Sequence, residues 1–218
     1  DTNSQDGFFP FRSESAKDNP IKDLKEFFHV YPNTNLPDFL SKNTNSLYSE
    51  LVNLGNTLLG WLDDLTPHNI KNEFSETLFN MSKGSDRNLL RVLHYPPVEG
   101  EVEQGAIRAA AHEDINLITL LVSGSQPGLE AMDMNGVWHK VPVDKGMITV
   151  NVGDMLQMAS NNYFPSTSHR VVNPENSKQN VSRFSLPMFM HPRNEVILKS
   201  GITAYDYLQE RLKEINLK

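Results

Sequence analysis

The sequence contains no cysteine, and this absence removes several classes of chemistry. Without thiols, the 218-residue chain can form no disulfide, thiolate zinc site, iron–sulfur cluster or cysteine nucleophile. Any bound metal must therefore be held by imidazole and carboxylate groups.

Long apolar runs and an excess of positive charge are also lacking. No run approaches the roughly 18 apolar residues that a membrane span requires. The chain has 20 Lys and Arg against 27 Asp and Glu, and this net charge of −7 disfavours a nucleic-acid partner. Residues 1–6 are polar and lack the pattern of a signal peptide. We therefore expect a cytoplasmic enzyme or binding protein with no membrane partner.

Periodicity divides the chain into three segments of one structural domain: 1–85, 86–198 and 199–218. Leucines spaced by three and four predict a long helix over 46–65, and Pro67 begins a second helix that ends at about Phe79. Residues 23–28 are predicted to form a short amphipathic turn or two, so segment 1–85 consists of loops and helices. Thr203, with an aspartate three residues later, predicts the cap of a C-terminal helix.

The sequence pattern changes at Asn88. From there, short runs of β-branched and aromatic residues alternate with turn signals such as Asn135-Gly136. This pattern predicts a mainly β fold with flanking helices, an α+β architecture built on a double-sheet roll or barrel. The predicted strands are 88–95, 107–111, 115–123, 128–133, 137–142, 147–152, 167–173 and 183–191.

A candidate metal site lies within this β segment. Among the seven histidines, His112 alone has a carboxylate two positions later, at Asp114, and side chains two apart share one face of a strand. His169 begins another β-branched run. Two histidines and one aspartate form the facial triad of non-haem Fe(II) oxygenases, and zinc is the chemical rival. A surface histidine beside a turn aspartate is the ordinary alternative for the pair alone.

Other candidate site residues follow from strand alternation. Arg183 and Ser185 share one strand face, where a guanidinium and a hydroxyl suit a small carboxylate. Phe189 lies on the same face and is a candidate wall of a substrate site, with core packing as the alternative. Arg108, four residues before His112, either attracts a substrate carboxylate or is an exposed charge on the barrel rim.

Blocks of sequence around these residues carry a resemblance to a known family. The blocks are 89–97, 112–121, 128–130, Trp138, 150–157, 166–172 and 183–187. Their order and spacing, over about residues 85–198, resemble the isopenicillin N synthase-like branch of the Fe(II)/2-oxoglutarate-dependent oxygenases.

The resemblance implies a double-stranded β-helix, or jelly roll, with flanking helices. It further implies that Fe(II) binds the two histidines and the aspartate, and that 2-oxoglutarate binds Arg183, Ser185 and Tyr95. O₂ and 2-oxoglutarate would then be converted to succinate and CO₂ while a small organic molecule is hydroxylated, desaturated or cyclised.

Two features depart from the resemblance. Leu93 stands where many plant relatives carry an asparagine that contacts the cosubstrate. Residues 9–11 also resemble the family's region before the barrel, and relatives have several dozen residues before it, including a strand of the major sheet. Either this sequence is a fragment or that strand is dispensable, and the sheet edge or helix face left exposed would favour self-association. Two alternatives stay open: an O₂-dependent oxidase of the same fold that does not use 2-oxoglutarate, and a truncated, non-catalytic remnant that binds a metal or ligand.

Overall fold

The computed structural model describes residues 5–17, 19–98, 100, 102–176 and 178–215, and within these it has twelve strands and five helices. Parts of two sequence predictions, residues 1–4 and 216–218, lie outside the described residues. The elements are β1 Gly7–Phe9, β2 Glu26–Val30, α1 Asp38–Leu65, α2 His68–Lys71, α3 Leu78–Ser82, β3 Leu89–Tyr95, β4 Ala109–His112, β5 Ile118–Val122, β6 Leu129–Met132, β7 Trp138–Lys140, β8 Ile148–Val152, α4 Asp154–Ala159, β9 His169–Val171, β10 Arg183–Met190, β11 Ile197–Lys199, β12 Ile202–Thr203 and α5 Ala204–Glu214.

Ten of these strands form the two sheets of a jelly roll. The major sheet has the order β1-β2-β3-β10-β5-β8, and the minor sheet has the order β4-β9-β6-β7. Neighbouring strands are antiparallel throughout both sheets. The predicted jelly-roll core is therefore confirmed, and each of the eight predicted strands corresponds to an observed one.

Strand alternation gives the major sheet an inner and an outer face. On β10, Met188 and Met190 are fully buried in the main core, together with residues of α1 such as Leu51 and Leu59. Arg183, which has the opposite parity, lines the interior between the sheets. One strand thus supplies the apolar surface for α1 and the polar surface for a cavity.

The prediction of a short amphipathic helical turn at 23–28 is wrong, because strand β2 begins at Glu26. Phe27 pairs with Leu93 and His29 pairs with Arg91 across the β2–β3 ladder. β2 also pairs with β1, so both of its edges are hydrogen-bonded in the major sheet. These long-range bonds and the burial of Phe27 outweigh the local helical pattern. Segment 1–85 consequently contains two strands as well as helices and loops.

The helices also differ from their predicted bounds. α1 begins eight residues before the predicted start, and the helix predicted from Pro67 to about Phe79 is two short helices, α2 and α3. The second of these begins separately because the Asp63 carboxylate accepts hydrogen bonds from the Leu78 and Phe79 amides, at 2.9 and 3.0 Å. Thr77 caps the same end by accepting from the Asn80 amide.

The C-terminal helix is confirmed, with Thr203 Oγ1 accepting from the Asp206 amide at 3.1 Å. Gly153 follows β8 and is the N-cap of α4. No helix among the described residues is both long and apolar enough to cross a membrane.

Candidate active site

His112 and His169 lie opposite each other on neighbouring strands of the minor sheet. They are register partners across the β4–β9 ladder, and their ring centroids are 4.4 Å apart. Asp114 follows β4, and its Oδ1 lies 4.0 Å from Nε2 of His112 and 3.6 Å from Nε2 of His169. One potential ligand atom from each residue lies within 4.8 Å of the others. The fold therefore brings together the three residues that the sequence predicted as a metal site.

Hydrogen bonds fix the orientation of both imidazoles. Nδ1 of His112 donates to the Ala110 carbonyl at 2.7 Å, and Nδ1 of His169 donates to the Thr167 carbonyl at 3.0 Å. A carbonyl oxygen can only accept, so the proton of each neutral ring is on Nδ1. The Nε2 lone pairs are left free, and they face the Asp114 carboxylate.

A chain of polar side chains holds the carboxylate in place. Asp114 Oδ2 accepts from Thr119 Oγ1 at 2.6 Å and from Asn151 Nδ2 at 2.9 Å. Thr119 is itself oriented, because its hydroxyl accepts from Asn116 Nδ2 at 2.7 Å. Oδ2 is therefore occupied by donors from β5 and β8, and Oδ1 is the oxygen that faces the histidines.

The electrostatics of the three residues suit a cation. Burial, assisted by the adjacent His169, lowers the pKa of His112 to about 4, so its ring is neutral at pH 7. Burial by itself would raise the pKa of Asp114, but the two imidazoles and the bonds from Asn151 and Thr119 hold it below its usual value. A neutral His112 imidazole beside an ionised carboxylate is the combination of protonation states that metal ligation requires.

A small cavity of about 80 Å³ adjoins the three residues inside the roll. Arg183, Ser185 and Tyr95 all line it, and each is less than 5% exposed. The Arg183 guanidinium carbon lies 5.2 Å from the centre of the Tyr95 ring, and its Nε donates to the Gln126 carbonyl at 3.0 Å. Its Nη1 is buried with no hydrogen-bond partner among the described residues. A buried guanidinium nitrogen without a partner can donate a hydrogen bond to an anionic acceptor such as a carboxylate.

A second, larger cavity of about 520 Å³ borders two of the three residues, His112 and Asp114. His112, Asp114 and Phe189 line both cavities, and Tyr205 and Leu208 of helix α5 line the larger one. Phe189 therefore has the cavity-facing position that the sequence predicted for a substrate-site wall. His112 and Asp114 therefore border two cavities, a small one and a larger one.

Arg108 is placed differently from both sequence interpretations. It is 2% exposed, so it is not a rim charge, and its Nη2 donates to the Val181 carbonyl at 2.7 Å. It is not among the described residues that line either cavity. His94 lies outside the site, since its Nδ1 is 2.8 Å from Glu26 Oε1 and its ring stacks on Phe184.

Four charged residues near the site were not predicted to belong to it: Glu14, Asp23, Lys25 and Arg91. All line the larger cavity, and Lys25 and Arg91 also line the small one. Three of them precede the β segment and were assigned to loops or helical turns, so no motif pointed to them. Two signals were available in the spacing: Asp23 and Lys25 share the parity of Phe27, and Arg91 shares the parity of Tyr95 within the predicted strand 88–95.

Comparison with known proteins agrees with this geometry. The family model of the 2OG-Fe(II) oxygenase superfamily matches residues 87–192. A putative oxygenase from Shewanella oneidensis is 48% identical, with a TM-score of 0.85 over 98% of this chain and 76% of that one. A putative 2OG-Fe(II) oxygenase family protein from Caulobacter crescentus is 30% identical, with a TM-score of 0.73 over 96% and 75%. The chain belongs to the 2OG-Fe(II) oxygenase superfamily.

Within this superfamily, curated relatives match over a shorter range. A 2-oxoglutarate-Fe(II) type oxidoreductase from Metarhizium rileyi is 35% identical over 142 residues, which cover 56% of this chain and 40% of that protein. The superfamily match includes the two histidines, the aspartate and strand β10.

Proposed function

We propose that the chain is a non-haem Fe(II)- and 2-oxoglutarate-dependent oxygenase that oxidises a small organic molecule. One observation carries the proposal: three ligand atoms within 4.8 Å adjoin a cavity in which the buried Arg183 Nη1 has no partner. The metal ligands and the anion site are thus neighbours in one enclosed space.

The donor set fits Fe(II). Two imidazole nitrogens and one carboxylate oxygen leave three positions of an octahedral ion open, as a cosubstrate and O₂ require. We assign these ligands to His112, Asp114 and His169. When bound, the metal supplies the redox chemistry that activates O₂. The protein contributes by fixing both imidazole tautomers and by presenting a single carboxylate oxygen.

The small cavity fits 2-oxoglutarate. We assign its distal carboxylate to Arg183 and Ser185, because a guanidinium with an open Nη1 binds a carboxylate strongly. Tyr95 lies under the guanidinium and contributes a phenol to the same cavity. Apolar side chains such as Leu93 and Leu129 line the rest of it, which strengthens the charge pairing by excluding water. At position 93, where many plant relatives carry an asparagine, the cavity surface is therefore apolar.

The substrate would occupy the larger cavity, against Phe189. A volume of about 520 Å³ is that of a pocket for a small molecule. Membership of the isopenicillin N synthase-like branch, a cytoplasmic location and self-association stay predictions from the sequence.

The test combines cosubstrate binding with turnover. Protein supplied with Fe(II), 2-oxoglutarate and O₂ should release succinate slowly even without substrate. His112→Ala should abolish metal binding and turnover, because it removes one of three ligands. The matched control is His139→Ala, since His139 is an exposed histidine that also faces a carboxylate, at 2.8 Å from Asp133.

The same experiment separates the alternatives. Metal binding and O₂ consumption without 2-oxoglutarate binding would favour the oxidase that does not use this cosubstrate. Binding of a metal with no oxidation under any condition would favour the non-catalytic remnant. Equal iron affinity in the wild type and His112→Ala would refute the ligand assignment itself.

A further inference from the structure

Four charged side chains form what we call the charged wall: Glu14, Asp23, Lys25 and Arg91. All four line the larger cavity together with His112 and Asp114, and Lys25 and Arg91 also line the small cavity. Lys25 Nζ lies 2.6 Å from Glu14 Oε2 and 2.8 Å from Asp23 Oδ2. Glu14 also accepts from both terminal nitrogens of Arg91, at 3.2 and 3.3 Å. Each cation is therefore already bonded to at least one carboxylate.

The charged wall has no net charge. Two cations balance two carboxylates, and the adjacent His29 is neutral because burial and Arg91 lower its pKa to about 3. Glu14, Asp23 and Lys25 are each no more than 5% exposed. Charges so deeply buried persist only when paired, so a further charge placed against this wall would have no counterion there.

Two arginines that line the small cavity differ in what occupies their nitrogens. Glu14 fills the forked face of Arg91, where a carboxylate would otherwise bind. Arg183 instead has its buried Nη1 without a partner. The structure thus provides an open carboxylate site at Arg183 and a closed one at Arg91.

The charged wall still has hydrogen-bond donors to offer. Lys25 uses two of its three N–H groups, and Arg91 uses three of its five, the third being its bond to His29 Nε2 at 2.8 Å. The Arg91 guanidinium carbon also lies 5.5 Å from the centre of the Phe189 ring. A cavity surface that combines spare N–H donors with an aromatic ring and no net charge suits a carbonyl oxygen on an apolar skeleton.

We propose that Lys25 and Arg91 bind an uncharged carbonyl group of the substrate, such as that of an amide or a lactam. This inference rests on the proposed function. Glu14 is the specificity-determining residue in this arrangement. Together with Asp23 it neutralises the two cations, and by occupying Arg91 it excludes a carboxylate from the position that the carbonyl occupies.

The test compares matched pairs of probes that differ only in charge. Phenylacetamide and phenylacetate form one pair, and cyclohexanecarboxamide and cyclohexanecarboxylate form the other. Their binding to protein loaded with zinc and 2-oxoglutarate is measured by calorimetry, so no turnover is needed. We expect each amide to bind roughly tenfold more tightly than its acid, the effect of one or two hydrogen bonds gained without an unpaired buried charge.

A substitution tests the role of Glu14 directly. Glu14→Gln removes one negative charge from the charged wall, so the affinity for the two acids should rise roughly tenfold while that for the amides changes little. Glu130→Gln is the matched control, because Glu130 pairs with Arg170 at 2.8 Å and is not among the described residues lining either cavity. It should bind all four probes as the wild type does.

Each outcome decides between the possibilities. Tighter binding of the acids by the wild type, or no binding of either amide, overturns the inference. An unchanged acid affinity in folded Glu14→Gln overturns it as well, and if that variant does not fold, the wild-type comparison decides alone. A protein that fails to bind 2-oxoglutarate contradicts the proposed function instead, which the first titration of the series reveals.

Discussion

The hydroxyl of Thr119 connects the buried core of the roll to the proposed metal ligands. It donates to Asp114 Oδ2 at 2.6 Å and accepts from Asn116 Nδ2 at 2.7 Å. Thr119→Val removes both bonds while keeping the shape of the side chain. The variant therefore isolates the contribution of this support from that of the ligands.

Two effects of different size are expected. The Asn116 amide, whose residue is fully buried, loses its acceptor, which costs about 1–3 kcal/mol of stability. The bond from Thr119 to the carboxylate is charge-assisted and is worth about 1.5–3 kcal/mol. Because that bond is present before the metal binds, only its orienting effect enters the affinity. We expect metal affinity to fall roughly tenfold, at the lower end of the range for such supporting bonds.

The assay is competition for Mn(II) or Co(II) against a chelator, accompanied by denaturant unfolding of the metal-free protein. Thr149→Val is the matched control. Thr149 lines the same small cavity from β8, and its side chain makes no hydrogen bond among the described residues. This control should retain wild-type metal affinity.

Equal metal affinities for Thr119→Val and Thr149→Val would refute the reasoning. That result would mean that Asn151 alone orients the carboxylate, through its bond of 2.9 Å to the same oxygen. A loss of stability without a loss of affinity would restrict the role of Thr119 to folding.

Three further predictions follow from single contacts. Arg183→Met should weaken 2-oxoglutarate binding about 10–100-fold by calorimetry, whereas Arg170→Met, outside both cavities, should not. His29 stays neutral in the folded protein until about pH 3 but takes up a proton near pH 6.5 when unfolded, so folding stability falls as the pH is lowered from 7 to 5. His29→Gln should lose about 2 kcal/mol less than the wild type over that interval in denaturant titrations, and equal losses would contradict the assignment. In α1, Gly55→Ala should destabilise the folded protein by about 1–3 kcal/mol, since the new Cβ would lie 2.6 Å from the Met190 sulfur. Gly60→Ala should stabilise it by about 0.5–1 kcal/mol, because the new Cβ would enter open space. Thermal unfolding of the two alanine variants measures both signs.

The local sequence pattern predicted the β segment well, because polar and apolar residues alternate along its strands and its turns carry glycine, proline and asparagine. β10 shows why: Arg183 and Ser185 share one face, and Met188 and Met190 share the other, so period two determines which side chains line the cavity. Prediction failed where the partners of an element are distant. β2 looks locally helical, and it is a strand because β1 and β3 hydrogen-bond to its two edges.

The metal site divides in the same way between sequence and tertiary structure. The pattern of His112, Asp114 and His169, with the blocks around them, was sufficient to predict a triad and to assign the superfamily. Only the folded chain shows that Thr119 and Asn151 hold one oxygen of the carboxylate.

The charged wall was accessible only through the tertiary structure. Glu14 and Arg91 are 77 positions apart, and nothing in either local sequence says that they pair. Residue types and their spacing determine which groups a chain can offer to a metal or cosubstrate. Which charges neutralise one another inside a cavity depends on contacts between distant segments of the chain. Such pairs form on folding because an unpaired buried charge is energetically costly.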